Sequence, residues 1–138
     1  MPGFNDDSGE IRALTQFIAG VSPDIPWHVT AFHSDYKMSD HANTTSRQLI
    51  DAAAIARDNG LRYVYAGNRP GQVGDLEDTR CATCGTALVE RQGYLITRMA
   101  IDEEGRCPSC RSVAPGLWKR AAVDVPPARS RIFPLHAL

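Results

Sequence analysis

The chain has 138 residues, is 43% hydrophobic and 22% charged, and carries a formal net charge of -1. That is the composition of a soluble globular protein with one ordinary domain or two small ones. Such a charge leaves no electrostatic footprint for nucleic acid or an anionic membrane, and no apolar run approaches the about 20 residues of a transmembrane helix. Neither is therefore expected as a partner.

The opening Met1-Pro2-Gly3-Phe4-Asn5-Asp6-Asp7 is rich in turn formers and has no secretion or transit pattern, so a reducing cytoplasm is the expected setting. Asp7 is a candidate helix N-cap with Glu10 three residues on. Ile11, Leu14, Phe17 and Ile18 then share one face of a helix of about three turns, which Gly20 can end. Trp27 to Phe32 reads as a strand with little polar alternation, as a strand covered on both faces would. His33 stands at its carboxyl end. A polar loop over residues 34–43 follows, and Thr44 or Thr45 can cap a second helix with Leu49, Ala53 and Ala56 as its apolar stripe. Asn59-Gly60 stops that helix, and Leu61 to Ala66 reads as a second buried strand.

The order helix, strand, helix, strand predicts an α/β fold with parallel strands and a right-handed crossover. Two strands alone are marginal in water, so residues 1–68 read as part of something larger. Self-association, or a second chain supplying the missing strands, is the expected remedy. Residues 69–80 hold Pro70, Gly71 and Gly74 and read as a linker.

All four cysteines fall in two C-x-x-C pairs, Cys81/Cys84 and Cys107/Cys110, with 22 residues between the pairs. Each pair is a turn that aims two sulfurs at one point. Two pairs supply a tetrahedral ion with its four ligands and leave none over, close to the C-x2-C-x15–20-C-x2-C zinc pattern. Disulfides would need an oxidising compartment, and a dithiol redox site would leave the second pair unexplained. A bound ion is expected, zinc first and iron second, since both take four thiolates. With four protein ligands the site is closed and structural. Residues 81–118 thus read as a small antiparallel zinc ribbon with strands at Thr86–Glu90 and Tyr94–Ile101, and with Trp118 as a lid. Residues 119–138 carry three prolines and read as an extended or disordered tail.

Pro2-Gly3-Phe4-Asn5-Asp6, Pro26 to His33, Asp35-Tyr36-Lys37-Met38, Gly60 to Asn68, the two C-x-x-C pairs and Pro115-Gly116-Leu117-Trp118 follow one another in order. In combination they resemble the C-terminal part of the AmmeMemoRadiSam-system radical SAM enzymes, which are similar to pyruvate formate-lyase activating enzymes. The resemblance spans about residues 2–118. It implies the last βα units of a partial (β/α) barrel carrying S-adenosylmethionine (SAM) and a [4Fe–4S] cluster at its top, where strand ends line the site. It places His33, Asn5 and Asp6 near SAM, Tyr36 and Lys37 beside His33, and Asn68 on the last strand end. The chain departs from the family in lacking the C-x3-C-x2-C motif that holds the cluster and the first barrel strands. It is therefore expected to be a C-terminal fragment or split part that does not cleave SAM alone, and SAM and the cluster belong to a complete enzyme. The alternative is a ribbon that binds a protein or nucleic-acid partner.

Overall fold

The computed structural model describes residues 1–38 and 40–118. The tail expected over residues 119–138 lies outside the described residues. The element order is α1 (Ser8–Val21), β1 (Trp27–Thr30), α2 (Ser46–Asp58), β2 (Val64–Gly67), a 3-10 turn (Gly74–Glu77), β3 (Thr79–Arg80), β4 (Ala87–Gln92) and β5 (Leu95–Met99).

Both helices start where their caps are written. The Asp7 carboxylate accepts the amides of Gly9 and Glu10 at 2.9 and 3.0 Å. Thr45 caps α2 in a full capping box: its hydroxyl accepts the Gln48 amide, and the Gln48 side chain accepts the Thr45 amide. Helix α1 runs through Gly20 to Val21, and Ser22 caps its end.

β1 and β2 pair in parallel, Trp27 opposite Val64 and Thr30 opposite Gly67. Both strands are shorter than expected. Ala31 still donates to the Gly67 carbonyl at 3.0 Å, and beyond it the chain leaves the sheet: Phe32 exchanges two hydrogen bonds with the buried Thr44, both at 3.0 Å, which closes the polar loop over residues 34–43.

The helices cover one face of this sheet. Val64 and Ala66 are buried there with Leu49, Ala53, Ala56 and Leu61, and Trp27 and Val29 pack against them. His28 and Thr30 point the other way and are exposed. The expected coverage of both faces is thus replaced by a groove of about 660 Å³, walled on one side by His28, Thr30 and Tyr65 and on the other by Glu77, Arg91 and Tyr94. Tyr65 stacks on His28 with centroids 4.8 Å apart. A two-stranded parallel sheet with helices on one face is the observed architecture, and the described residues form no closed barrel.

Residues 69–80 are packed. Val73 and Leu76 enter the α/β core at 2% and 4% exposure, and β3 joins the second sheet. Tyr65 shares a 3.1 Å hydrogen bond with Thr79 across the junction. The second sheet is antiparallel in the order β3-β4-β5. The hairpin turns at Gly93-Tyr94, with Gly93 at φ +59 and its amide donating to Glu77 Oε1 at 2.8 Å. The ribbon core is small: Cys81, Leu88, Val89, Cys107 and Ala114, with Ile101 and Trp118 packed on it. Trp118 Nε1 donates to the Ala114 carbonyl at 2.9 Å, so the tryptophan does close this core. No helix among the described residues is long and apolar enough to cross a membrane.

Candidate metal centre

The two C-x-x-C pairs fold into the same turn. In the first, the Gly85 amide donates to the Cys81 carbonyl at 2.8 Å and the Cys81 amide to the Thr86 carbonyl at 2.9 Å. In the second, Arg111 donates to Cys107 at 3.0 Å and Cys107 to Ser112 at 2.9 Å. The residue after each pair must turn the chain through positive φ: Gly85 at +75 and Arg111 at +62. Glycine does this freely, whereas arginine does it against its own Cβ. β3 delivers the first turn, and the chain leaving β5 delivers the second through the bridge between Arg106 and Val113.

Together the turns bring the four sulfurs within 4.8 Å of one another. Cys81 Sγ lies 3.6 Å from Cys110 Sγ, and Cys84 Sγ lies 3.6 Å from Cys107 Sγ. Disulfide sulfurs stand at about 2.0 Å, so these are four free thiols. Thiolates about 2.3 Å from one tetrahedral ion stand about 3.8 Å apart. The observed spacing therefore fits a single ion. It is too tight for a multi-iron cluster, whose thiolates bind different irons on its outer corners. The first cysteine of each pair is buried, Cys107 at 0% and Cys81 at 5%, while Cys84 and Cys110 are exposed.

A hydroxyl stands against sulfur in each turn, two residues past the second cysteine. Thr86 Oγ1 lies 3.3 Å from Cys84 Sγ. Ser112 Oγ lies 3.1 Å from Cys110 Sγ and 3.2 Å from Cys81 Sγ. Such outer groups orient ligands and spread their charge. Their effect shows at Cys81. Burial pushes its thiol up, but the Ser112 hydroxyl, the backbone amides of Cys84 and Thr83, and Cys110 together bring it down from 9.0 to about 6. The folded arrangement therefore favours the thiolate, the form of the sulfur that binds metal. The repeated C-x-x-C-x-(Ser/Thr) spacing was the available signal for Thr86 and Ser112, and spacing between cysteines alone does not reveal it.

The residues that the resemblance sets near SAM are not gathered at one place. Asn5 accepts a hydrogen bond from the amino terminus at 2.6 Å, and Asp6 accepts one from Gln48 Nε2 at 3.1 Å. Both line a cleft of about 190 Å³ between α1, α2 and β1. His33 lines neither this cleft nor the large groove. It is exposed, with Nδ1 4.0 Å from Asp35. Asn68 does border the groove; it sits at φ +61 and donates to the Ala31 carbonyl at 3.3 Å. Tyr36 is 91% exposed, and Lys37 Nζ lies 5.4 Å from its ring centroid.

The chain is 35% identical over 112 residues to the uncharacterized protein MJ0808 of Methanocaldococcus jannaschii, a match that covers 80% of this chain and 33% of that protein. It therefore spans about a third of the length of this relative. No family model matches. No solved structure matches either.

Proposed function

We propose that Cys81, Cys84, Cys107 and Cys110 hold a structural zinc ion, and that the chain is the C-terminal part of a radical SAM activating-type polypeptide. The four-sulfur group within 4.8 Å carries the metal half of this reading. Zinc is preferred to iron because a closed thiolate site whose job is to fasten a fold gains nothing from a redox-active ion. The ion fixes both turns to one point, and this chain's own groups do the rest: Thr86 and Ser112 orient the sulfurs, and Trp118 shields the small core beside them.

The α/β half is supported by the parallel pairing of β1 with β2, by the open sheet face toward the groove, and by the M. jannaschii relative, of which the match covers only 33%. In a complete enzyme, bound SAM and its [4Fe–4S] cluster supply a carbon-centred radical. This chain's four cysteines are all committed to the ribbon, so it brings no ligand set for that cluster. Reconstitution with iron, sulfide, SAM and a reductant under anaerobic conditions tests this half. We expect no deoxyadenosine, and its formation would overturn the claim.

A second reading, a ribbon that binds a protein partner, is favoured by β5, whose five residues are all exposed, Leu95, Ile96 and Met99 among them.

A further inference from the structure

Helix α1 has two apolar faces, and among the described residues only one packs against the core. Ile18 and Ala19 turn inward against the α/β core. Thr15 is fully buried beside them, where its hydroxyl accepts from Asn59 Nδ2 at 2.7 Å and so ties α1 to the end of α2. About 100° further round the helix lie Leu14, Phe17 and Val21, which are 49%, 71% and 66% exposed. One turn separates each from the next, so they form a continuous stripe.

The place of α1 says what that stripe faces. α2 packs on both β1 and β2, as a crossover helix does, whereas α1 packs chiefly on α2. Consecutive parallel units keep one hand, so each helix sits above its own strand pair. By that rule α1 lies over β1 and the position one strand further out. That position is open, because β1 pairs with β2 alone among the described residues. Beneath α1, at this edge, is the cleft of about 190 Å³, lined by the apolar Ile11, Val29, Leu49 and Ile55 and by the polar Asp6 and Asp51. Among the described residues the outward amides and carbonyls of β1 have no strand beside them, so they can extend a ladder.

We infer that the outer edge of β1, the cleft under α1 and the Leu14/Phe17/Val21 stripe form one docking surface for a further parallel βα unit. Its strand would add beside β1 and place apolar side chains in the cleft, and its amphipathic helix would lie on the stripe. The unit belongs to a longer polypeptide of the kind the M. jannaschii relative represents, two thirds of which lies outside the match. This deepens the proposed α/β reading by naming the surface through which the chain joins the rest, and it does not depend on the identity of the metal.

The test places the same substitutions in two settings. One is this chain alone. The other is a fusion in which the chain replaces the matched segment of the relative. Leu14→Glu with Phe17→Glu should leave the melting temperature of the isolated chain unchanged and lower that of the fusion by several degrees. Gln16→Glu, on the solvent side of the same helix, should change neither. Co-expression of the chain with the relative lacking its matched segment provides a second readout, in which the two should co-purify and the double variant should not. Equal melting shifts in both settings would overturn the inference, as would failure of the unaltered chain to co-purify. A dimer of the isolated chain that the double variant dissolves would also overturn it, since a second copy would then be the occupant. Zinc content and deoxyadenosine formation are read separately and bear only on the proposed function.

Discussion

Arg111 occupies a backbone position that its counterpart Gly85 fills without strain. Its compensation is an ion pair with Asp102 at 3.3 Å, with the arginine side chain 65% exposed and the carboxylate 32% exposed. Such a pair is worth less than about 1 kcal/mol, whereas positive φ costs a side chain about 1–2 kcal/mol. Arg111→Gly should therefore stabilise the metal-loaded ribbon by a few tenths to about 1 kcal/mol, measured by thermal unfolding. Ser112 touches two sulfurs and Thr86 one, so Ser112→Ala should weaken metal binding more than Thr86→Ala. About tenfold or more is expected for Ser112→Ala, read by competition with a chromophoric chelator. Equal and negligible effects would mean that the hydroxyls are bystanders.

Acidity acts at the same residue. The Cys81 thiol is depressed from 9.0 to about 6 in the folded state. Its contribution to stability is full above the unfolded value and is lost as pH falls through about 6. Protons also compete with a bound ion for the sulfurs, so metal should be retained at neutral pH and released on acidification, below the pH at which the free thiol titrates because the ion itself holds the thiolate. Metal content after dialysis from neutral to acid pH gives the curve, and loss of metal at neutral pH would contradict it.

Among the elements, the helices were legible because their signals are local. Asp7 and Thr45 cap at the expected places, and the Gln48 half of the Thr45 box adds a second bond. Thr45→Ala should cost about 1 kcal/mol of stability in the α/β part and leave metal affinity unchanged, a separation that calorimetry with and without chelator would show. Which side of a helix meets the core is not a local property. The apolar residues of α1 spread over more than one face, so periodicity alone could not tell the half-buried, core-facing Ile18 from the exposed Leu14 and Phe17. Thr15, polar and fully buried, was invisible for the same reason: its partner Asn59 lies 44 residues away. The segment 69–80 misled through its composition. Its prolines and glycines mark turns, but Val73 and Leu76 between them bury as core residues do. At the end of β1 the apolar run has two uses: Ala31 is buried in the α/β core and donates to the Gly67 carbonyl at 3.0 Å, whereas Phe32 closes the loop against Thr44 rather than pairing in the sheet.

At the scale of the molecule, the two parts hold themselves together by different means. Among the described residues the α/β part has a core of nine buried residues, against which half-buried side chains of α1 and β1 also pack. The ribbon has five among the described residues, two of them cysteines. A core that small does not hold a fold without a staple, and a tetrathiolate ion supplies one. Chelation should therefore unfold residues 79–118 while the amides of α2 and β2 stay protected, a division that hydrogen exchange resolves residue by residue. Simultaneous loss of protection in both parts would show that the junction at Tyr65 and Thr79 couples them more strongly than their separate cores suggest. The metal quartet was the most legible feature of the chain, because two identical spacings with no spare cysteine leave few other uses. The docking edge of β1 was foreseen only as incompleteness, since a two-stranded sheet announces a missing neighbour but not the side on which it sits.

The claim on which the rest depends is that one ion sits among the four sulfurs. X-ray absorption at the zinc edge, on protein purified without added metal and assayed for metal per chain, tests it most directly. The account predicts one ion per chain with four sulfur neighbours at about 2.3 Å and no nitrogen or oxygen shell. A metal-free, folded chain whose four thiols all react at once with a disulfide reagent would contradict it.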